Sequence, residues 1–158
     1  MTKTIVIGIV DTMFARADMG SLAEQTIRRE APEAVIHRVT VPGIKDLPVA
    51  CKRLLEVRKC HIVLALGMPG KAAIDKQCAH EASLGLQHAQ LLTNRHVLEV
   101  FVHEDEGRDD RDLANIMRNR TVKHAVNAVK MLTDPDWLRA RAGTGQRQGK
   151  ENAIPLRL

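Results

Sequence analysis

The chain has 158 residues, of which 44% are hydrophobic and 27% charged, proportions ordinary for one soluble globular domain. It contains two Phe, one Trp and no Tyr, which is too few aromatic side chains for a surface that stacks nucleic-acid bases. Residues 139–158 hold five basic side chains against one acid and so carry +4 of the formal charge of +5. The basic excess belongs to a C-terminal segment, and we expect no nucleic-acid partner.

The cysteines and the apolar runs indicate the compartment. Cys51, Cys60 and Cys78 form neither a CxxC pair nor a zinc-type spacing. The apolar run at residues 5–10 is too short for a signal peptide or a membrane span. We therefore expect a reduced, cytoplasmic protein with no membrane partner.

Strand-like and helix-like segments alternate along the chain. Apolar, β-branched runs typical of buried parallel strands cover residues 4–10, 35–41, 61–66 and 97–102. Helical patterns cover residues 18–30, 45–57, 73–92 and 109–132, with a short helix from residue 134. This order predicts a three-layer α/β/α sandwich with a four-stranded parallel sheet, of the flavodoxin-like type. We expect one α/β domain over residues 1–142 and a basic tail over residues 143–158 that is loosely ordered until something contacts it.

Loops with glycine and proline follow the second and third predicted strands. Residues 41–48 read Val-Pro-Gly-Ile-Lys-Asp-Leu-Pro, and residues 66–71 read Leu-Gly-Met-Pro-Gly-Lys. Open α/β sheets bind ligands at the carboxyl ends of their strands, where helix-opening amides favour oxygen-rich groups. For residues 41–48 a simple helix cap explains the pattern equally well. Neither loop has the spacing of a Walker or GxGxxG motif, which disfavours a nucleotide-binding domain.

Three further features allow both a functional and a structural interpretation. Phe14, after the first strand, could lie against a planar heterocycle or pack in the core. His103 and Glu104 follow the fourth strand at the ligand edge and have the chemistry of a general acid or base, whereas the pattern around His80 favours an ordinary polar helix position. The acidic run at residues 104–112 favours a helix cap over a Mg²⁺ site.

Four separated motifs agree in order and spacing with one known family. They are Asp11-Thr-Met-Phe-Ala-Arg16, residues 41–51, residues 65–71 with the Cys-Ala-His-Glu-Ala-Ser-Leu-Gly run at 78–85, and Val102-His-Glu-Asp-Glu106. Over nearly its whole length the chain resembles the lumazine synthase superfamily and, within it, the archaeal-type riboflavin synthases. Lumazine synthase itself handles a phosphate-bearing substrate with an arginine and a downstream histidine after its third strand. Residues 67–74 lack that histidine, which favours the riboflavin synthase reaction.

The resemblance implies a dismutation catalysed by positioning. One 6,7-dimethyl-8-ribityllumazine would donate a four-carbon unit to another, giving riboflavin and 5-amino-6-ribitylaminouracil without an organic cofactor. It also implies a homopentamer whose sites lie between neighbouring subunits. Two alternatives stay open: lumazine synthase, which condenses a pyrimidine with a four-carbon phosphate, and a non-catalytic flavin- or nucleotide-binding module.

This resemblance also suggests roles for individual residues. We expect the substrate ring to lie against Phe14, Ile44 and Met68, and the ribityl chain to contact Lys45, Asp46 and nearby amides. The full predicted set of substrate contacts is Phe14, Ile44, Lys45, Asp46, Leu47, Met68, Pro69, Gly70 and Glu81. The predicted proton-transfer groups are His103 and Glu104, with His80 and Lys71 as alternatives.

Overall fold

The computed structural model describes residues 4–158 and confirms the alternating α/β architecture. The strands are β1 (Val6–Thr12), β2 (Val35–Val41), β3 (Ile62–Gly67) and β4 (Val97–Phe101). The helices are α1 (Met19–Glu30), α2 (Leu47–Glu56), α3 (Ala73–Thr93), α4 (Asp110–Thr133) and α5 (Pro135–Arg139), with a 3₁₀ turn at Ile44–Asp46. The first three residues of the predicted domain 1–142 lie outside the described residues.

The four strands form one parallel sheet in the order β2-β1-β3-β4. The chain steps from β1 to β2 in one direction and from β3 to β4 in the other, so the strand order reverses between β1 and β3. Strand β1 runs two residues beyond its predicted end, because Asp11 and Thr12 remain paired with Thr40 and Val41. A crevice for a ligand is expected at the carboxyl ends of β1 and β3, where the order reverses.

Two apolar cores lie on opposite faces of the sheet. One contains Ile7, Ile9 and Leu64 from the central strands and is covered by α1 and α4. The other contains Val10 and Val63 and is covered by α2 and α3. Full burial of each of these side chains contributes about 1.5–3 kcal/mol. The central strands are therefore apolar on both faces and leave their carboxyl ends as the place where polar groups can gather.

Acidic residues begin three of the helices. Asp18 Oδ1 accepts the Ser21 amide 2.9 Å away at the start of α1, and Asp109 Oδ1 accepts the Asp112 amide at 2.8 Å at the start of α4. Asp134 caps α5 in the same way. These carboxylates satisfy amides that a helix leaves unpaired. Within residues 4–158, none of the helices has both the length and the apolar character required to cross a bilayer.

A half-buried arginine ties β2 to β1 and to the start of α1. Arg38 Nη2 donates to Asp11 Oδ2 at 2.5 Å and to Asp18 Oδ1 at 2.9 Å, while Nη1 donates to Ser21 Oγ at 2.9 Å. Thr40 Oγ1 donates to the second oxygen of Asp11 at 2.6 Å. A buried carboxylate is tolerated only when it is paired in this way. The network fixes both ends of the loop that joins β1 to α1.

The C-terminal segment is folded onto α4, and the expectation of a loosely ordered tail over residues 143–158 is corrected to that extent. Lys123 Nζ donates to the Arg147 carbonyl at 2.8 Å, and the Gly149 amide donates to Asn119 Oδ1 at 2.7 Å. Composition alone indicated disorder. It could not reveal the anchoring groups, because they belong to a helix some thirty residues earlier in the chain. The division into two units at residue 142 stays a prediction.

His124 on α4 makes stability depend on pH. Burial of the half-buried ring, together with the Arg120 charge, lowers its pKa, whereas Gln148 opposes that shift. The unfolded chain, with a histidine pKa of about 6.5, therefore binds the proton before the folded chain does. The free energy of unfolding should fall as the pH drops through and below about 6.5.

Thermal unfolding of His124→Gln should show a smaller decrease in Tm between about pH 7.5 and pH 5.5 than the wild type. The exposed His88 on α3 provides the control: a His88→Gln variant with the same reduction would contradict the assignment.

Candidate functional site

A cavity of about 300 Å³ lies at the carboxyl ends of β1 and β3, where the strand order reverses. Its walls come from the loops after β1, β2 and β3 and from the start of α3. Most of the predicted substrate contacts line it, namely Phe14, Ile44, Lys45, Asp46, Met68, Pro69 and Gly70. Four further residues line it that were not among the predicted substrate contacts: Thr12, Gly43, Asp75 and Cys78. We call this cavity the ring pocket.

Phe14 is presented to the ring pocket, and the alternative of core packing is wrong. Its side chain is 70% exposed. The Met13 amide donates to the Val41 carbonyl at 2.8 Å and the Phe14 amide to the Pro42 carbonyl at 3.3 Å, which extends the β1–β2 pairing into the loops. A Cβ placed on Gly43 would lie 3.4 Å from the Phe14 ring. The aromatic face therefore stands beside the Pro42-Gly43 turn, at the mouth of the pocket.

The turn that precedes α2 is closed by its own hydrogen bonds. Asp46 Oδ2 accepts the Gly43 amide at 3.1 Å, and the Asp46 amide donates back to the Gly43 carbonyl at 3.1 Å. The Leu47 amide is bonded to the Ile44 carbonyl. Leu47 itself is fully buried in the core, so its side chain is unavailable to a ligand and its prediction as a contact is corrected. The spacing of apolar residues along α2 accounts for the burial of Leu47, which the loop motif alone did not predict.

An exposed ion pair lies beside the ring pocket. Lys45 Nζ, from the loop after β2, forms an ion pair with Glu81 on α3, and Gln77 Nε2 donates to the other Glu81 oxygen at 3.2 Å. The hydrogen bond and charge of each partner raise the pKa of Lys45 and lower that of Glu81. Both groups stay charged near neutral pH and supply donors and acceptors next to an apolar wall.

Arg16 connects the loops after β1, β3 and β4. Its amide donates to Met68 Sδ at 3.4 Å, and its guanidinium lies 3.8 Å from Glu104 Oε1 and 2.8 Å from Asp110 Oδ2. The Glu104 amide donates to the Pro69 carbonyl at 3.0 Å. Glu104 is thus held against the loop that carries Met68, outside the lining of the ring pocket.

A larger cleft of about 610 Å³ lies between α3 and β4 and contains both predicted histidines, His80 and His103. We call it the histidine cleft. The sequence predicts His103 and Glu104 as neighbours in one site, but the structure separates them: His103 lines this cleft and Glu104 contacts the loop after β3. Within residues 4–158, no hydrogen-bond partner reaches the buried His103 Nδ1.

The histidine cleft also contains Glu99, which sequence reasoning missed. Burial raises the pKa of this carboxyl, while a hydrogen bond from Ser83 and the charge of His103 act in the opposite direction. Regular spacing in the sequence could have revealed the residues that line this cleft. Alternate residues of a strand share a face, and residues three or four apart share a face of a helix. The strand set is Glu99, Phe101 and His103, and the helix set is Lys76, His80 and Ser83. A carboxyl beside imidazoles is a suitable arrangement for proton transfer.

The remaining predicted groups lie elsewhere. Lys71 is exposed in the turn before α3 and lines neither the ring pocket nor the histidine cleft. In the acidic run, Asp109 caps α4, Asp105 pairs with Lys76 at 2.5 Å, and Glu106 pairs with Arg120. Among residues 4–158 there is no group of three or more His, Cys, Asp or Glu side chains placed to hold a metal ion. These carboxylates serve in caps and ion pairs.

The fold and the ring pocket define a flavodoxin-like α/β protein whose candidate ligand site is assembled from strand-end loops. Comparison with known proteins identifies its family: the sequence profile of 6,7-dimethyl-8-ribityllumazine synthase matches residues 4–135. The chain belongs to this family. A riboflavin synthase of Methanothermobacter marburgensis is 55% identical over 152 residues, which cover 96% of this chain and 99% of that protein. Riboflavin synthases of Archaeoglobus fulgidus and Aeropyrum pernix are each 45% identical, over 95% and 96% of this chain and 97% of each relative.

Proposed function

We propose that the protein is a riboflavin synthase that converts two molecules of 6,7-dimethyl-8-ribityllumazine into riboflavin and 5-amino-6-ribitylaminouracil. The observation that carries this proposal is the ring pocket, which combines an exposed aromatic face with an adjacent charged pair. Relatives that share about half of this sequence over nearly its full length are named riboflavin synthases, which supports the same reaction.

The two sides of the ring pocket suit the two parts of the substrate. Phe14, Ile44 and Met68 offer an apolar surface on which the heterocycle packs. Lys45 and Glu81 bring donors and acceptors to one side, where a polyol chain with several hydroxyl groups binds. Pro69 and Gly70 supply backbone at the floor.

The reaction requires two substrate molecules in opposed register, and the ring pocket is too small for both. Its volume of about 300 Å³ is at the lower end of the range for sites that hold one drug-sized ligand. The groups suited to proton transfer lie instead in the histidine cleft, on the β4 side of the molecule. We therefore propose that each active site forms where the ring pocket of one subunit meets the histidine cleft of its neighbour.

Exposed apolar side chains support such an assembly. Val49 and Val57 on α2 are 61% and 71% exposed, and Leu91 on α3 is 80% exposed. The α2 residues flank the β2 edge, whereas α3 contributes one wall of the histidine cleft. Two different surfaces on one chain can join head to tail, and such contacts form a ring when the rotation between neighbours closes. We propose a homopentameric ring of this kind, which a mass measurement at micromolar concentration tests directly.

His103 is the proposed proton-transfer residue, with Glu99 and His80 beside it. It would accept a proton from the acidic methyl group of one lumazine, and the resulting carbanion would add to the other lumazine. Elimination then divides the atoms of two lumazines between the two products, so no external oxidant or reductant is required. Because the methyl group is already acidic, the base contributes only about 10²-fold to the rate. Glu104 and Lys71 are less well placed for this role.

We also propose that the protein is cytoplasmic and needs no organic cofactor. Cys51, Cys60 and Cys78 are all free thiols, which is consistent with a reducing compartment.

Incubation with 6,7-dimethyl-8-ribityllumazine as the sole substrate tests the proposed function. We expect riboflavin fluorescence to grow without a second reactant. Turnover only after addition of the pyrimidine and a four-carbon phosphate would identify a lumazine synthase instead. Saturable binding of lumazine or riboflavin without turnover would identify a binding module.

Alanine substitutions at Phe14 and Leu47 should separate an effect on ligand binding from an effect on core packing. Phe14→Ala should leave Tm nearly unchanged, because the ring is largely exposed, and should raise the Michaelis constant about five-fold for stacking worth on the order of 1 kcal/mol. Leu47→Ala should instead destabilise the fold by about 2–5 kcal/mol. Steady-state kinetics and thermal unfolding measure the two effects. The exposed neighbour Met13→Ala is the control, and an equal rise in its Michaelis constant would contradict a specific role for Phe14.

A shared site predicts complementation between two defective variants. Phe14→Glu places a charge against the substrate ring, and His103→Gln removes the proposed base, so each variant alone should be slow. In mixed rings made by co-expression from two tagged copies, about a quarter of the interfaces would join an intact Phe14 to an intact His103. Turnover per site should therefore recover toward about a quarter of wild type. No gain above the mean of the two variants would place the whole site within one subunit.

A further inference from the structure

One carboxylate holds the loop that carries His103. Glu106 Oε1 accepts the His103 amide at 2.9 Å and Arg120 Nη1 at 2.9 Å, while Glu106 Oε2 pairs with Arg120 Nη2. Arg120 Nη1 also donates to the Phe101 carbonyl at 3.1 Å, at the last residue of β4. A guanidinium from α4 thus joins the end of the strand to the turn that follows it. Both charged side chains are roughly three-quarters buried, with 22% of Arg120 and 26% of Glu106 exposed.

The opposite side of Arg120 is covered by the C-terminal segment. Gly149 has a φ of +71° and packs so closely that a Cβ at this position would overlap Arg120 Nε. The Gly149 amide donates to Asn119 Oδ1 at 2.7 Å, which fixes the segment over the guanidinium. Contacts therefore run without interruption from Gly149 through Arg120 and Glu106 to the backbone of His103.

We propose that Arg120 is a positioning residue for His103 and that the C-terminal segment at Gly149 takes part in catalysis by holding Arg120 in place. The inference rests on the proposed function, in which His103 transfers the proton. The planar guanidinium is essential to the arrangement, because it serves both Glu106 oxygens and the Phe101 carbonyl together. A lysine ammonium keeps the charge but cannot reproduce this fork.

The first test compares Arg120→Lys and Glu106→Gln with the wild type. Loss of the fork should lower kcat by on the order of 10-fold and change the Michaelis constant less than two-fold, because the ring pocket is untouched. The pH dependence of kcat should also shift as the surroundings of His103 change. The charged and titratable groups of those surroundings are Lys76 and His80 on α3, Glu99 on β4, Asp105 and Glu106 in the loop, and Arg120 on α4.

Two glycines give a matched comparison for the C-terminal segment. Gly143 and Gly149 both have positive φ, +76° and +71°, so alanine introduces similar backbone strain at each. Apart from its two chain neighbours, no residue of 4–158 would lie within 4 Å of a methyl group added at Gly143, whereas at Gly149 the methyl group would meet Arg120. Both variants carry the same kind of backbone strain, and Gly149→Ala adds the overlap with Arg120, so only Gly149→Ala should lose several-fold in kcat.

The imidazole signals of ¹³C-labelled histidine, assigned with His103→Gln, provide a readout that does not depend on turnover. We expect Arg120→Lys and Gly149→Ala to shift the His103 signal, and Gly143→Ala to leave it unchanged. If Gly149→Ala matches Gly143→Ala in kcat and in the His103 signal, the role of the C-terminal segment is overturned. If Arg120→Lys leaves kcat and that signal unchanged, the role of Arg120 is overturned even where Gly149→Ala fails to fold. A wild-type protein that does not convert lumazine would refute the proposed function, while the spectra would still decide whether these residues position His103.

Discussion

The parallel pairing of β1 with β3 is the constraint on which the rest of the molecule depends. Both strands are buried on their two faces, so their backbone hydrogen bonds and apolar side chains leave no freedom in register. Because the strand order reverses at this pair, their following helices diverge to opposite sides of the sheet. The loops that carry Phe14 and Met68 are consequently held apart around a crevice, and the ring pocket follows from sheet topology before any polar contact is made.

Ion pairs then set the positions of the loops around this crevice. Arg38 with Asp11 fixes the base of the loop that presents Phe14, and Arg120 with Glu106 fixes the turn that presents His103. In both cases a guanidinium from one element reaches a carboxylate on another and also binds a further group. Such planar, multiply bonded pairs restrict geometry more than a point charge does. Their value here is orientation, since buried ion pairs contribute little net stability once desolvation is included.

Local periodicity was sufficient to predict most of the fold, including the parallel sheet and the order of the elements. The motifs after the strands also located most of the ring pocket. The sequence could not supply the tertiary contacts. Leu47 belongs to a ligand-like motif, but its side chain packs in the core because of its position on α2. In the sequence, Glu99 is indistinguishable from other strand residues, and only the packing of α3 shows that it lies in the histidine cleft. The composition of the C-terminal segment indicates disorder, and only its hydrogen bond to Asn119 shows that it is held against α4.

Consecutive residues His103 and Glu104 show why the two halves of the site lie apart in one chain. After β4 the backbone turns so that His103 stays on the strand face toward α3, while Glu104 is drawn to the loop after β3 and to Arg16. The groups proposed for proton transfer and those proposed for ring binding therefore lie on opposite sides of the same loop. A reaction between two identical substrates can use this separation, because a neighbouring copy oriented head to tail brings the missing half to each pocket. The catalytic geometry would then be determined by subunit packing, which would hold the two reacting rings in a fixed orientation.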